Sequence, residues 1–126
     1  MNKLLIATAV IEVGAGVALV AAPSLLVTLL LGSPLDTAVA VTVGRLAGSA
    51  LVVLGVACWL ARHDGQSRAA RGLVAAMLLY NLAAVAILTS AGMGSGFVGV
   101  ALWLAVALHA AMSVWCIACL TIERVK

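Results

Sequence analysis

Each long apolar stretch of this sequence carries a polar or ionisable side chain, or two adjacent ones, near its middle. Glu12 and Arg45 are the charged members, Tyr80 and Asn81 are adjacent in the third stretch, and His109 lies in the fourth. Carboxyl and imidazole groups take up and release protons, and a guanidinium binds carboxylates through paired hydrogen bonds. In apolar surroundings these residue types indicate a binding site, a proton relay or a polar lock between helices.

Glu12 and Arg45 are predicted to form an ion pair. Glu12 is the only acidic residue away from the ends of an apolar stretch, and Arg45 cannot lose its charge. Glu12 lies about 12 Å from Leu4 at one face of the membrane, and Arg45 lies about 12 Å from Thr37 at the opposite face. In a core about 30 Å thick their depths therefore differ by roughly 6 Å. A charge at such a depth costs at least about 2.5–3.5 kcal/mol, which favours pairing. The face of Arg45 also carries residues that permit close helix packing, namely Gly48, Ser49, Val52 and Gly55.

Counted in the same way, Asn81 and His109 fall near the midplane, so four helices would place polar groups in one layer. This predicted polar layer consists of Glu12, Arg45, Tyr80, Asn81 and His109. It is interpreted as a structural lock, as a site for a small ligand or ion, or as a contact with another subunit. We expect His109 to form a hydrogen bond across helices; a proton relay, a metal ligand and a haem ligand are its functional alternatives.

The three cysteines lie toward one end of their stretches. Cys116 and Cys119 form a C-x-x-C within a helix, and Cys58 would face away from the interior if Arg45 faces inward. That geometry argues against a three-thiol metal site, and small buried apolar cysteines are the preferred interpretation. No nucleophile with a supporting base can be assembled. We therefore expect a non-enzymatic protein without a cofactor or a bound metal.

The composition identifies the solvent that surrounds these residues. Of 126 residues, 66% are hydrophobic and 9% are charged, whereas soluble domains are about 45–50% apolar and about 25% charged. A core of this size could not bury so much apolar surface in water, so the bilayer is the expected partner. The net charge is +3, but the basic residues form no patch large enough to bind along a groove of a nucleic acid. We therefore expect no nucleic-acid partner.

Four stretches reach the roughly 20 apolar residues of a spanning helix, at about 4–22, 34–61, 69–91 and 97–122. The segment SLLVTLLLG, residues 24–32, is too short to span and predicts a short interfacial helix. The sequence therefore predicts a single integral membrane domain over residues 1–126. Its fold would be an all-α bundle of four transmembrane helices, with the interfacial helix between spans 1 and 2.

Local signals mark the boundaries of the spans. Ser33 is predicted as the N-cap of the second span, with Pro34 at its first helical position. Gly65 would break that helix, and Ser67 would cap the third. Residues 92–96, GMGSG, predict a hairpin between the third and fourth spans.

The basic residues predict the orientation. All but Arg45 lie on the side shared by both termini and the second loop, namely Lys3, Arg62, Arg68, Arg71, Arg124 and Lys126. The two opposite loops contain no Lys or Arg. The positive-inside rule then predicts a multi-pass protein with both termini in the cytoplasm.

Two resemblances follow from short motifs. AVIEVGAG in the first span resembles the first helix of small multidrug-resistance exporters, and Glu12 matches their membrane-embedded glutamate, which binds drug or proton. The aromatic residues that surround that glutamate in the exporters are missing here. An arginine that neutralises Glu12 would also oppose proton coupling.

A second resemblance covers more of the chain. PSLLVTLLLG followed by GRLAGSALVVLGVACWLAR resembles the small DoxX-like membrane proteins of bacteria, in the order span, short amphipathic piece ending in Gly, and Arg-containing span. The resemblance implies a bacterial inner (cytoplasmic) membrane and, as for some members, a link to quinone-coupled redox systems. It assigns no catalytic residue.

The sequence therefore leaves three functions open. The preferred one is a non-enzymatic membrane protein whose polar layer is structural or binds a small ligand, a second copy of the chain or a membrane partner subunit. The first alternative is a proton-coupled small multidrug-type exporter that uses Glu12. The second is a membrane redox subunit that contacts quinone near Arg45 and His109.

Overall fold

A computed structural model describes residues 1–64, 67–94, 96 and 98–122. Within them lie α1 (Asn2–Ala21), α2 (Pro23–Leu31), α3 (Ala38–Ala61), α4 (Arg68–Gly94) and α5 (Leu102–Ile122). The helices α1, α3, α4 and α5 are long and apolar enough to cross a membrane, and α2 is the short helix between the first two. The predicted all-α fold is confirmed. Sequence predictions that lie outside the described residues concern Gly65, Ser95, Phe97, Arg124 and Lys126.

The helices α1 and α3 form the closest pair, and glycines make their approach possible. A Cβ atom added to Gly16 would lie 2.6 Å from the carbonyl oxygen of Gly48, and one added to Gly48 would lie 2.8 Å from the Gly16 oxygen. Gly55 faces the carbonyl oxygen of Ala9 in the same way, at 3.0 Å. The two helices are therefore antiparallel, with backbone against backbone, as small residues allow in membrane helices.

The helix α2 covers one end of the bundle. Pro23 is its first residue, and Gly32 ends it in the left-handed conformation with φ of 75°. The N–H group of Ala101 donates to the carbonyl oxygen of Leu29 at 2.9 Å. Gly99 packs so closely on α2 that a Cβ atom there would collide with the Leu29 carbonyl group. The chain before α5 is thus held against α2, and α5 begins at Leu102 rather than near residue 97.

The start of α3 corrects a sequence prediction. Its N-cap is Thr37, whose hydroxyl oxygen accepts the N–H of Ala40 at 3.1 Å, and not Ser33. The N–H of Leu35 donates instead to the hydroxyl group of Ser24 on α2, at 3.1 Å. The segment before α3 is thus held against α2, and the helix begins at Ala38, four residues after Pro34.

The helix α4 starts as the sequence predicts and ends later. Ser67 caps it, because its hydroxyl oxygen accepts the N–H of Ala70 at 3.0 Å. The helix continues to Gly94, so residues 92–94, predicted as part of a hairpin, are helical. Gly92 lies against Leu102 and Trp103 of α5, so α4 and α5 form a second antiparallel pair.

The two helix pairs meet in one apolar core. Its buried members come from all four long helices, namely Leu4, Leu5, Ala9, Cys58, Val74, Met77, Met112 and Cys116. Many large apolar side chains face outward instead, among them Val53, Leu79 and Val114. Apolar side chains thus cover the outside of the bundle as well as its core, which suits a lipid solvent. The chain has the architecture of a small multi-pass membrane protein.

Candidate functional site

Asn81 and His109 join α4 to α5 inside the bundle. The Nδ1 atom of His109 lies 2.8 Å from Oδ1 of Asn81. The amide group of Asn81 also donates through Nδ2 to the carbonyl oxygen of Met77 at 2.7 Å. Asn81 is almost fully buried, so both halves of its amide group are used within the protein.

This network fixes the tautomer of His109. A carbonyl oxygen only accepts, so the NH2 side of the Asn81 amide must face Met77 and its oxygen must face His109. The Nδ1 atom of His109 therefore carries the proton. In the neutral imidazole, Nε2 is then the acceptor, and its lone pair is not used by Asn81.

Tyr80 and Glu12 complete a cluster around this pair. The Tyr80 ring meets the His109 ring edge-on, with centroids 5.7 Å apart and an interplanar angle of 81°. Glu12 is buried on α1, three residues after Ala9 of the apolar core, and Tyr80 packs against that same core. We call Glu12, Tyr80, Asn81 and His109 the polar cluster. It brings α1 together with α4 and α5.

Glu12 is the unusual member of the polar cluster. Only 4% of its surface is exposed, yet its carboxyl group forms no hydrogen bond or ion pair with any described residue. Every fully enclosed side-chain nitrogen or oxygen in the described part of the chain has a hydrogen-bond partner. The Glu12 oxygens must therefore touch accessible space, and the same holds for the Tyr80 hydroxyl group and for Nε2 of His109.

The structure does not bring Arg45 to Glu12. Arg45 is exposed on the outside of α3, whereas Glu12 is buried, and no salt bridge joins them. The predicted ion pair is therefore corrected, and Arg45 lies outside the polar cluster. Ser49, assigned to the same face, is exposed with it.

The antiparallel packing of α1 and α3 explains this separation. The helices are in register at Gly16 and Gly48, and Glu12 and Arg45 lie in opposite directions from that contact, about 10 Å apart along the axis. Side chains also lean toward the N-terminus of their own helix, so in an antiparallel pair these two diverge. In addition, the side chain of Arg45 leaves α3 at an angle of about 60° from the direction of Gly48, and this angle turns it away from α1.

The orientation of Cys58 differs from the one that an inward Arg45 would give, whereas its burial agrees with the interpretation of the cysteines as small buried apolar residues. The sequence places it on the opposite side of α3 from Arg45, and that relation is correct, but Cys58 is the residue that faces inward. It is fully buried in the apolar core, as is Cys116 of α5. The argument against a shared thiol site assumed that Arg45 faces inward, so that argument no longer applies.

Ser113 is a polar core residue that the sequence analysis did not select. It is almost fully buried, and its hydroxyl group donates to the carbonyl oxygen of His109 at 2.9 Å. Ser113 follows His109 by four residues, which places both on one face of a helix. That spacing is the signal that could have identified it.

Comparison with known proteins gives no relative of this chain. No protein-family model matches it, and no curated protein or solved structure is significantly similar to it. The chemistry of the polar cluster must therefore be argued from its own geometry.

Proposed function

We propose that this protein is a small integral protein of the bacterial inner membrane, with both termini in the cytoplasm, that binds a small ligand in its polar cluster. The four apolar helices support the membrane location. The basic residues at the end of the bundle shared by the N-terminus and the α3–α4 loop support the orientation. The order of a span, a short helix ending in Gly32 and an Arg-containing span, which resembles DoxX-like proteins, supports the bacterial assignment.

A single observation carries the ligand-binding proposal: Glu12 is nearly fully buried and has no partner among the described residues. A residue that only locks helices together directs its polar atoms to the protein, as Asn81 does. A buried carboxyl group without a partner is costly, so its retention favours a role in binding. The polar cluster thus has a structural half, Asn81 with His109, and an open half at Glu12.

The open atoms indicate the class of ligand. The Glu12 carboxyl group and the Nε2 atom of His109 are acceptors, the Tyr80 hydroxyl group can accept as well, and no Lys or Arg belongs to the polar cluster. The ligand should therefore bring hydrogen-bond donors and positive charge. The Tyr80 and His109 rings add aromatic surface of the kind that attracts cations. A protonated amine fits these properties.

The experiment compares the full chain with Glu12→Gln in detergent micelles. The probe is a dansyl-labelled alkylammonium ion, whose fluorescence rises in apolar surroundings. Asp36→Asn is the matched control, because it removes one carboxyl group from the exposed loop before α3. We expect Glu12→Gln to fold and to bind the probe at least tenfold more weakly, and Asp36→Asn to bind as the wild type does.

Three results would contradict the proposal. The wild type could bind no more probe than empty micelles do. Glu12→Gln could bind the probe as tightly as the wild type, which would place the ligand elsewhere. Glu12→Gln could also fail to fold, which would assign Glu12 to the structural half of the cluster.

A proton-coupled small exporter is the second candidate, and the position of Arg45 favours it. In the sequence, a neutralising arginine opposed this function, but Arg45 lies on the outside of α3. Glu12 therefore has no cationic partner in the part of the chain that the structure describes. The test is the resistance of cells to cationic drugs. Expression of the wild type should raise resistance, and expression of Glu12→Gln at an equal level should not.

The third function, a quinone-linked redox subunit, required Arg45 and His109 at one site. Arg45 lies outside the polar cluster that holds His109. No geometric observation favours this function over the first two.

A further inference from the structure

Six of the seven sulfur-containing residues of this chain lie in or against one apolar core cluster. They come from all four long helices or their ends: Met1, Cys58, Met77, Met112, Cys116 and Cys119. The seventh, Met93, is 77% exposed at the other end of α4. Most of the other apolar residues of the chain lie outside this cluster. The sulfur-containing residues are therefore enriched in it beyond what the apolar composition of the chain would give.

The thiol and thioether groups converge from three helices. Cys58 of α3 and Cys116 of α5 are both 0% exposed, and both belong to that one apolar core cluster. Met112, Cys116 and Cys119 follow one another at spacings of four and three residues, which places them in one stripe on α5. Met77 of α4 is 2% exposed in the same cluster.

We propose that four of these residues, Cys58, Cys116, Met77 and Met112, bind a soft monovalent metal ion of the Cu(I) type. Together with Cys119, which packs against the same core, we call them the sulfur cluster. Soft thiolate and thioether ligands select Cu(I). Zn²⁺ prefers four ligands from Cys, His and carboxylates, and the described residues contain no group of three or more such side chains that could hold a metal. Two thiols supplemented by thioethers therefore match Cu(I) and not Zn²⁺.

The binding reaction is a ligand exchange without electron transfer. Each thiol that binds loses its proton to the solvent as its sulfur–copper bond forms, and the metal stays monovalent. Cys58 and Cys116 are the expected thiolate ligands, and Met77 and Met112 are the expected thioether ligands. This site is separate from the ligand site proposed at Glu12, and neither proposal depends on the other.

The test uses the full chain in detergent micelles under anaerobic conditions. Cu(I) is supplied as its bicinchoninate complex, and loss of the colour of that complex measures transfer to the protein. The Cys58→Ala, Cys116→Ala double variant removes both thiols without adding a polar group to the core. Met93→Leu is the matched control, because it removes the exposed sulfur outside the cluster.

We expect the wild type and Met93→Leu to withdraw about one equivalent of Cu(I), as expected for a single site, and the double variant to bind at least tenfold more weakly. The proposal is overturned if the wild type withdraws no more Cu(I) than empty micelles do. It is also overturned if the double variant binds as tightly as the wild type, since the cysteines would then only fill the core.

A second measurement keeps the proposal testable if the double variant does not fold. X-ray absorption of the Cu(I) complex of the wild type should show a first coordination shell that contains sulfur alone. A shell of nitrogen or oxygen would place the metal outside the sulfur cluster and contradict the assignment.

Discussion

The Nδ1 atom of His109 lies 2.8 Å from Oδ1 of Asn81 and links α5 to α4 within the bundle. Because Asn81 also donates to the Met77 carbonyl group, the bond has one orientation and one tautomer. This link separates the structural half of the polar cluster from the open half at Glu12.

The Asn81–His109 bond should contribute measurably to the stability of the bundle. Hydrogen bonds between membrane helices are worth about 0.6 kcal/mol on average, and up to about 1.7 kcal/mol. In a double-mutant cycle of Asn81→Ala and His109→Ala, we expect a coupling energy in that range, measured by unfolding in SDS. Thr121→Ala, at an exposed position on α5, is the control. A coupling energy near zero would show that the bond does not stabilise the helix pair.

The contact between Gly16 and Gly48 should not tolerate a side chain. Gly48→Ala would place a Cβ atom 2.8 Å from the Gly16 carbonyl oxygen, and backbone cannot yield as a flexible side chain can. We expect a loss on the order of 1–3 kcal/mol in the free energy of unfolding. Gly14→Ala on α1 is the control, because a Cβ atom there meets nothing within 4 Å. Equal stability of the two variants would contradict the close packing of α1 on α3.

Glu12 and Arg45 should act independently. Because they diverge along the antiparallel pair, the losses in unfolding free energy caused by Glu12→Gln and Arg45→Gln should add in the double variant within about 0.5 kcal/mol. The measurement is the unfolding free energy of the four proteins in the same detergent. A coupling well above that value would restore the ion pair that the sequence predicts.

Substitutions at Thr37 and at Ser33 test whether α3 starts where the structure places it or where the sequence predicts it. Thr37→Ala removes the hydroxyl group that accepts the Ala40 N–H, and loss of such a cap costs about 1 kcal/mol. Ser33→Ala should change the unfolding free energy by less than about 0.5 kcal/mol, as for an ordinary surface position. Thermal unfolding in detergent compares the two variants. A larger loss for Ser33→Ala would move the helix start back to Pro34.

The positions of Arg45 and Cys58 show how far sequence reasoning reaches. Their spacing correctly predicts that they lie on opposite sides of one helix, because that relation follows from the helical repeat alone. It does not predict which of the two faces inward. The rule that buried charges seek partners favoured Arg45, whereas the packing of Gly48 and Gly55 on α1 turned that residue outward.

The sequence by itself determined the all-α class, the four spanning helices and the short helix between the first two, because these depend on composition and on stretches of apolar residues. Only the tertiary structure decided which polar groups meet. The close approach of glycine backbones fixed the register and rotation of α1 against α3, and this contact separated Glu12 from Arg45. The convergence of Asn81 with His109, and of Cys58 with Cys116, likewise depends on how whole helices pack, which no local pattern encodes.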